Sequence, residues 1–208
     1  MDVCSPRRKG SFYTNIRDMK ISVMLWAAIA ASAYQVNTQE LVPSPANRFT
    51  LDVEKTGLLR GKTHVFQFGK YRGSVDYNEQ KPELSKVQFE IESKSIVCLD
   101  TWVSDKDKVK IMRTALDDML AADTYPTISF VSTSVTAKTP TLFEVTGTLS
   151  MRGIIQPATV SVTKNGDAFD GSAVVNMKDF GMKPPTAALG TIGTKELMTV
   201  KFHLAPRR

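Results

Sequence analysis

The segment from Val145 to Pro185 constrains the fold more than any other part of the chain. Apolar and polar residues alternate along it, and a glycine, an Asn-Gly pair or a proline interrupts the alternation about every ten residues. A period of two places one set of side chains in a core and the other set in water, as in a β-strand. Short strands at regular spacing are typical of an all-β sandwich or barrel.

The chain repeats this pattern from Arg48 onward. We predict about eight to ten strands, joined in sequence order by short turns. This order favours a closed antiparallel β-barrel, because closure removes exposed sheet edges; a sandwich is the alternative. The most regular predicted strand spans 84–93. One of its faces is polar and charged and the other is small and apolar, which indicates that only one face is exposed to water. That second face carries Ser85, Val87, Phe89 and Ile91.

The period changes once, after Ser104. This serine precedes Asp105 and Asp107, a pattern typical of a helix N-terminus. Apolar residues then recur at steps of three and four, which predicts one amphipathic helix over 105–121. We expect its apolar face to close one end or flank of the barrel and to belong to the core. That face consists of Val109, Met112, Leu116, Met119 and Leu120.

Residues 1–33 are expected to form a leader and a secretory signal peptide. Lys20 precedes the apolar run 21–29, and the triplet 31–33 fits the small-x-small rule for cleavage. The run is shorter than the roughly 20 residues that a membrane-spanning helix needs. Met19 is an alternative start, since a charged leader is unusual before a signal peptide. A membrane-anchoring or buried N-terminal helix is the competing interpretation.

Cleavage after this triplet predicts a periplasmic or secreted protein. Residues 34–47, which include Pro43 and Pro45, are interpreted as a flexible lead-in, and 48–206 as one β-barrel domain. Cys98 is the only cysteine of this body, so no intramolecular disulfide is expected. The chain has a formal net charge of +6 but no basic stripe with interleaved aromatics, so no nucleic acid is expected as a partner.

The inward-facing positions of the predicted strands form the candidate ligand-binding site. A barrel of about eight strands can hold one small ligand, and ligand pockets are mostly apolar with a few placed polar groups. His64 alternates with Phe66 and Phe68 and is the polar candidate for contact with a ligand head group. The same positions equally suit an ordinary solid core. The set is His64, Phe66, Phe68, Val75, Tyr77, Val87, Phe89, Ile91, Ile128, Phe130, Val145, Leu149 and Val174.

No arrangement of residues predicts catalysis. The sequence lacks the nucleophile elbow, the phosphate loop and the dinucleotide fingerprint, and two isolated histidines, His64 and His203, do not make a metal site. Arg152 and Lys183 are candidate cations at the barrel mouth. We predict a carrier for a long apolar ligand, and not an enzyme. The alternatives are a structural or stress-related interaction protein with a solid barrel, and an enzyme that uses His64 as a general base.

Several short motifs occur in order through the body of the chain. Each is weak alone, but together they are specific. They are 73–77 (Gly-Ser-Val-Asp-Tyr) followed by 82–87 (Pro-Glu-Leu-Ser-Lys-Val), Met119-Leu120, 125–133 (Tyr-Pro-Thr-Ile-Ser-Phe-Val-Ser-Thr), 145–153 (Val-Thr-Gly-Thr-Leu-Ser-Met-Arg-Gly) with Pro157, and 179–182 (Asp-Phe-Gly-Met). From about residue 48 to residue 204 the chain therefore resembles the YceI-like family of lipid- and polyisoprenoid-binding proteins.

The resemblance implies a lipocalin-like β-barrel whose apolar channel holds an isoprenoid tail, such as a quinone or a polyprenyl chain, in an exported protein. It implies no cofactor beyond that ligand. The expected partner is an apolar lipid, with a membrane only as its source, and a homodimer is an alternative to a monomer. The family's opening strands commonly carry a His-Ser pair and a further histidine, whereas only His64 is a candidate counterpart here. Ligand selection is therefore expected near His64.

Overall fold

The computed structural model describes residues 36–205, which form twelve β-strands and one α-helix. The strands belong to one antiparallel sheet, so the all-β prediction is confirmed. The predicted leader and signal peptide over 1–33 lie outside the described residues. The strands are β1 (Val36–Leu41), β2 (Arg48–Gly57), β3 (Thr63–Phe68), β4 (Tyr71–Asn78), β5 (Lys86–Glu92), β6 (Ile96–Cys98), β7 (Thr127–Ala137), β8 (Leu142–Met151), β9 (Ile154–Asn165), β10 (Ala168–Asn176), β11 (Thr186–Ala187) and β12 (Ile192–Leu204).

The strands pair in the order β1-β4-β5-β7-β8-β9-β10-β12-β2-β3-β6, and β11 pairs with β12. Within the described part of the chain, the end strands β1 and β6 do not pair with each other, so the rolled sheet is an open barrel. The prediction of a closed barrel with about eight to ten strands is wrong in these two details. Of the extra strands, β6 and β11 have only three and two residues, too few for a period of two to be recognised, and the six residues of β1 show no alternation of apolar and polar side chains.

Aromatic contacts across the interior accompany the curl of the sheet. Phe49 on β2 lies against Phe89 on β5, with ring centroids 5.3 Å apart, although the two strands are six steps apart in the sheet order. Tyr77 on β4 similarly meets Phe169 on β10 at 5.6 Å. Strands this far apart in a flat sheet could not touch, since neighbouring strands are spaced by about 4.8 Å. One face of the sheet therefore encloses an interior.

The predicted helix is present and begins where the sequence indicates. Helix α1 spans Asp105–Arg113, and the Ser104 side chain caps it by accepting a hydrogen bond from the backbone N–H of Asp107. A π-helical segment, Thr114–Met119, continues it. The predicted apolar face packs in or against the core, as expected for a helix that flanks the barrel, except that Val109 is 63% exposed. Among the described residues no helix has both the length and the apolar character needed to cross a membrane.

The first strand lies inside the segment interpreted as a flexible lead-in, 34–47. Val36–Leu41 pairs with β4, and Leu41 is buried opposite Gly73. Without β1, one edge of β4 would present unpaired N–H and C=O groups, which favour the addition of a strand. The lead-in therefore contributes a strand, which its polar composition did not indicate.

Gly171 on β10 is a position where the curl of the sheet leaves no room for a side chain. A β-carbon added there would lie 2.0 Å from Cζ of Phe202 on the paired strand β12. We expect Gly171→Ala to lower the free energy of unfolding by about 1–3 kcal/mol, because Phe202 must leave its site. Urea unfolding followed by circular dichroism measures this change.

The neighbouring residue provides the control. Ser172 is exposed on the other face of β10, so Ser172→Ala is expected to change the free energy of unfolding by less than about 0.5 kcal/mol. Equal unfolding midpoints for the two variants would contradict the close approach of Phe202 to the β10 backbone.

Candidate functional site

The rolled sheet encloses a cavity of about 590 Å³, lined almost entirely by aliphatic and aromatic side chains. Its volume falls in the range of about 300–1,000 Å³ that is typical of sites for small molecules. Among the residues predicted as ligand-binding, all but one line this cavity. They are His64, Phe66, Phe68, Val75, Tyr77, Val87, Phe89, Ile91, Ile128, Phe130, Val145 and Leu149.

Val174 is the exception, and its predicted inward orientation is wrong. Its side chain is 64% exposed, whereas Ala173 and Val175, its neighbours on β10, line the cavity. Two adjacent valines leave the register undetermined by hydrophobicity, and a shift of one residue moves a side chain to the opposite face of the sheet.

The cavity opens at one end. Its lining residues that are exposed to solvent all belong to α1 or β11, and we call them the mouth: Asp107, Lys110, Thr186 and Ala187. The opposite end is lined by buried apolar side chains such as Leu41, Phe143 and Leu204. Along β2, the inward positions from Phe49 to Lys55 alone span about 20 Å at about 3.3 Å per residue. The site is therefore long and narrow enough to suit a chain-like ligand.

His64 lies on the cavity wall and is held by a buried carboxylate. Its Nδ1 is 2.5 Å from Oδ2 of Asp100, and the two side chains are 9% and 0% exposed. The backbone N–H of Val65 donates to the other carboxylate oxygen at 2.8 Å. The Trp102 ring stacks on the imidazole, with centroids 5.1 Å apart. These contacts fix the ring and direct its remaining nitrogen away from Asp100.

A His–Asp pair of this kind can orient a hydrogen-bonding group or a general base. Nucleophilic catalysis also needs a hydroxyl or thiol within hydrogen-bonding reach of the imidazole. Within residues 36–205, the only side chain hydrogen-bonded to His64 is Asp100. The same part of the chain contains no group of three or more His, Cys, Asp or Glu side chains that could hold a metal ion. The geometry is that of a polar contact in an apolar site.

Lys55 is a cavity residue that the sequence analysis missed. It follows Phe49, Leu51 and Val53 on the inward face of β2 and is only 9% exposed. Burial lowers the pKa of its ammonium group, and the nearby Asp100 carboxylate opposes that effect. The alternation of inward and outward positions along β2 extends to Lys55 and would have placed its side chain in the interior. A bend is expected to begin at Lys55 instead, because Gly57 follows closely.

The other polar candidates have different surroundings. The Arg152 guanidinium donates to the carbonyl oxygen of Asp118 at 2.7 Å, so it caps the helical segment and does not line the cavity. Lys183 is exposed and outside the lining as well. Cys98 is half-buried, and burial is the main cause that raises the pKa of its thiol. A raised pKa leaves little thiolate, so Cys98 is a poor nucleophile.

Removal of the Asp100 carboxylate tests the buried pair. We expect Asp100→Ala to lower the free energy of unfolding by about 3–5 kcal/mol, because it leaves the buried imidazole and the Val65 N–H without their acceptor. Thermal and urea unfolding measure the loss.

A second His–Asp pair in the same protein supplies the control. His203 Nδ1 lies 2.6 Å from Oδ1 of Asp170, but these side chains are 37% and 42% exposed. Since exposed ion pairs contribute about 0–1 kcal/mol, Asp170→Ala is expected to have a much smaller effect. Similar losses in both variants would contradict a special role for burial at Asp100.

Comparison with known proteins supports the fold. A Burkholderia cenocepacia protein, BcnA, superimposes with a TM-score of 0.61 over 78% of this chain and 98% of its own, at 21% sequence identity. A Campylobacter jejuni YceI protein gives a TM-score of 0.52 over 69% of this chain and 84% of its own, at 18% identity. At such identities the similarity concerns the fold alone.

Sequence comparison defines the family. A UPF0312 protein of Pseudomonas putida is 30% identical over 135 residues, which cover 60% of this chain and 67% of that protein. A UPF0312 protein of Azotobacter vinelandii is 29% identical over 126 residues, which cover 56% of this chain and 62% of that protein. The YceI-like domain matches residues 42–205, nearly all of the rolled sheet. The chain therefore belongs to the YceI-like domain family.

Proposed function

We propose that the protein is an exported carrier that binds a long apolar ligand, such as a polyisoprenoid, a quinone or a fatty chain, inside the rolled sheet. The observation that carries this proposal is the apolar cavity of about 590 Å³, open at one end. Membership of the YceI-like family supports it, since the sequence resemblance implies lipid binding. The ligand chain would lie along the aromatic interior, with one end at the mouth.

The energetics suit a carrier. A chain that buries about ten methylene-sized groups gains about 8 kcal/mol, at about 0.8 kcal/mol for each group. Immobilising the chain and losing its translational freedom offset part of this gain. The net binding free energy that remains is that of a ligand which is bound firmly but can still be released. A carrier that moves its ligand between two sites requires both.

The competing functions fit the site less well. An interaction protein with a solid barrel has no use for a large apolar cavity, since interiors are normally packed with few voids larger than a water molecule. An enzyme that uses His64 as a general base needs a reacting group near the imidazole, and the cavity lining is apolar apart from Lys55, the charged mouth residues and a few hydroxyls. Binding is the simpler use of this interior.

Filling the cavity tests the carrier function. Ala173 on β10 lines the cavity, so Ala173→Phe places a ring in the space that the ligand would occupy. We expect its affinity for a quinone with an isoprenoid tail to fall at least about tenfold, a loss of about 1.4 kcal/mol in binding free energy. Native mass spectrometry and titration of intrinsic fluorescence measure uptake.

The adjacent residue gives a matched control for this variant. Val174 is 64% exposed on the outer face, so Val174→Phe adds the same ring outside the cavity and should leave uptake unchanged. If wild-type protein from its own host neither carries nor takes up any lipid, the proposal fails. Equal uptake by both folded variants would also contradict binding in this interior.

Export is part of the proposal and rests on the sequence of residues 19–33. A short apolar run followed by Ala31-Ser32-Ala33 is typical of a cleaved signal peptide. We expect the mature protein to begin at Tyr34 and to be recovered outside the cytoplasm. Cell fractionation with intact-mass measurement of the purified protein checks this. Recovery of the uncleaved chain from the cytoplasm would contradict export and leave the binding proposal untouched.

A further inference from the structure

Lys55 is a buried cation to which the described residues offer no partner of its own. Its side chain is 9% exposed and lines the cavity on β2. Among the described residues, its ammonium group makes no hydrogen bond and no ion pair. Burial of an unpaired charge is costly, and proteins normally compensate it with an opposite charge or with hydrogen bonds. The compensation at Lys55 by the described residues is therefore incomplete.

The carboxylate that attracts Lys55 and the one that lines the mouth both have other partners. Asp100 attracts Lys55, but its two oxygens already accept from His64 and from a backbone N–H. Asp107 at the mouth pairs with Lys110, with Nζ 3.3 Å from Oδ1. The end of the cavity nearest to the mouth thus keeps a positive charge that no carboxylate of residues 36–205 neutralises fully.

An unsatisfied hydroxyl lies directly beside this cation. Thr194 on β12 is the register partner of Lys55, so the two side chains share the inward face of the sheet. Its Oγ1 is buried and has no hydrogen-bond partner among the described residues. A buried donor left unpaired is destabilising by itself. Two adjacent groups on the cavity wall therefore both lack the partner that their chemistry requires.

His64 completes the cluster from the other side. It pairs with Val53 in the ladder between β2 and β3, which makes it a diagonal neighbour of Lys55 on the same face. Asp100 occupies its Nδ1, so Nε2 is the nitrogen left for a ligand. Three adjacent strands, β12, β2 and β3, thus present a hydroxyl, an ammonium and an imidazole at the end of the cavity nearest to the mouth.

We propose that Lys55 and Thr194, with His64 beside them, bind the anionic oxygen head group of a long-chain amphiphile whose chain lies in the cavity. This inference rests on the proposed carrier function and narrows its ligand class. One ammonium matches the single negative charge of a carboxylate, and it neutralises part of the charge of a phosphate monoester, which is about −1.5 to −2 at pH 7. The apolar surroundings strengthen the attraction, because a charge pair interacts more strongly at a low dielectric constant than in water. The head group would replace the partners that Lys55 and Thr194 lack.

Ligands that differ only in their head group test this inference. Affinities of the full chain for oleate, oleyl phosphate and oleyl alcohol are measured by displacement of the neutral dye Nile red, below the concentrations at which the ligands form micelles. We expect oleate or oleyl phosphate to bind at least about tenfold more tightly than the alcohol, since a charge-assisted hydrogen bond replaces a neutral one. Which of the two anions binds more tightly identifies the head group.

A variant of Lys55 assigns the preference to this residue. Lys55→Met keeps the length of the side chain and removes an unpaired buried charge, so it should fold with a melting temperature at or above that of wild type. We expect it to lose the preference for the anion and to keep its affinity for the alcohol. Lys195→Met is the control, because Lys195 is exposed, lies outside the cavity lining and is already paired with Glu54. This control should retain the preference.

The outcomes separate this inference from the carrier function. If wild type binds all three ligands equally, the inference is wrong and the carrier function stands. If no ligand displaces the dye or binds, the carrier function itself fails. Should Lys55→Met not fold, Thr194→Val tests the same site, because it removes only the buried hydroxyl. It should reduce the anion preference by about threefold or more, in proportion to one lost hydrogen bond; an unchanged preference would count against the site.

Discussion

Phe49 holds together strands that are distant in the sheet order, and the enclosed interior depends on such contacts. Its ring meets Phe68, Tyr71, Phe89 and Phe202, which lie on β3, β4, β5 and β12, at centroid distances of 5.3–6.5 Å. Aromatic pairs of this kind contribute about 0.5–1.5 kcal/mol each beyond their buried area. Since β1 and β6 do not join by hydrogen bonds in the described part of the chain, interior packing rather than closure of the ladder keeps the sheet rolled.

A sheet rolled around large rings cannot also fill its whole interior. The side chains reach inward from every strand, yet a cavity of about 590 Å³ stays between them. At the mouth end of the cavity, the π-helical segment after α1 contributes the buried side chains of Ala115 and Met119. Helix α1 itself and β11 leave the mouth open. Polar groups are concentrated at the mouth end, where Asp100 pairs with His64, whereas Lys55 has no hydrogen-bond or ion-pair partner among residues 36–205. The structure thus separates an apolar interior from a charged entrance, an arrangement suited to an amphiphile.

The period-two pattern was sufficient to predict most of the cavity wall. The strand at 86–92 shows this most clearly, because Val87, Phe89 and Ile91 alternate with polar residues without interruption, and all three line the cavity. The same rule failed at Val174, where two valines in succession suit either register. The rule also holds at Lys55, but a charged residue two positions before a glycine is equally typical of the end of a strand.

Sequence alone determined the all-β fold, the single helix after Ser104 and the family, since these depend on local periodicity, capping and motif order. It could not determine that the barrel is open, that the interior is hollow, or that Asp100 lies against His64. The two residues are 36 positions apart, and only the pairing of β3 with β6 brings Asp100 to the imidazole. Whether inward side chains fill their space depends on the curvature of the whole sheet, which no local pattern encodes. The open end and the hollow interior are consequences of that curvature.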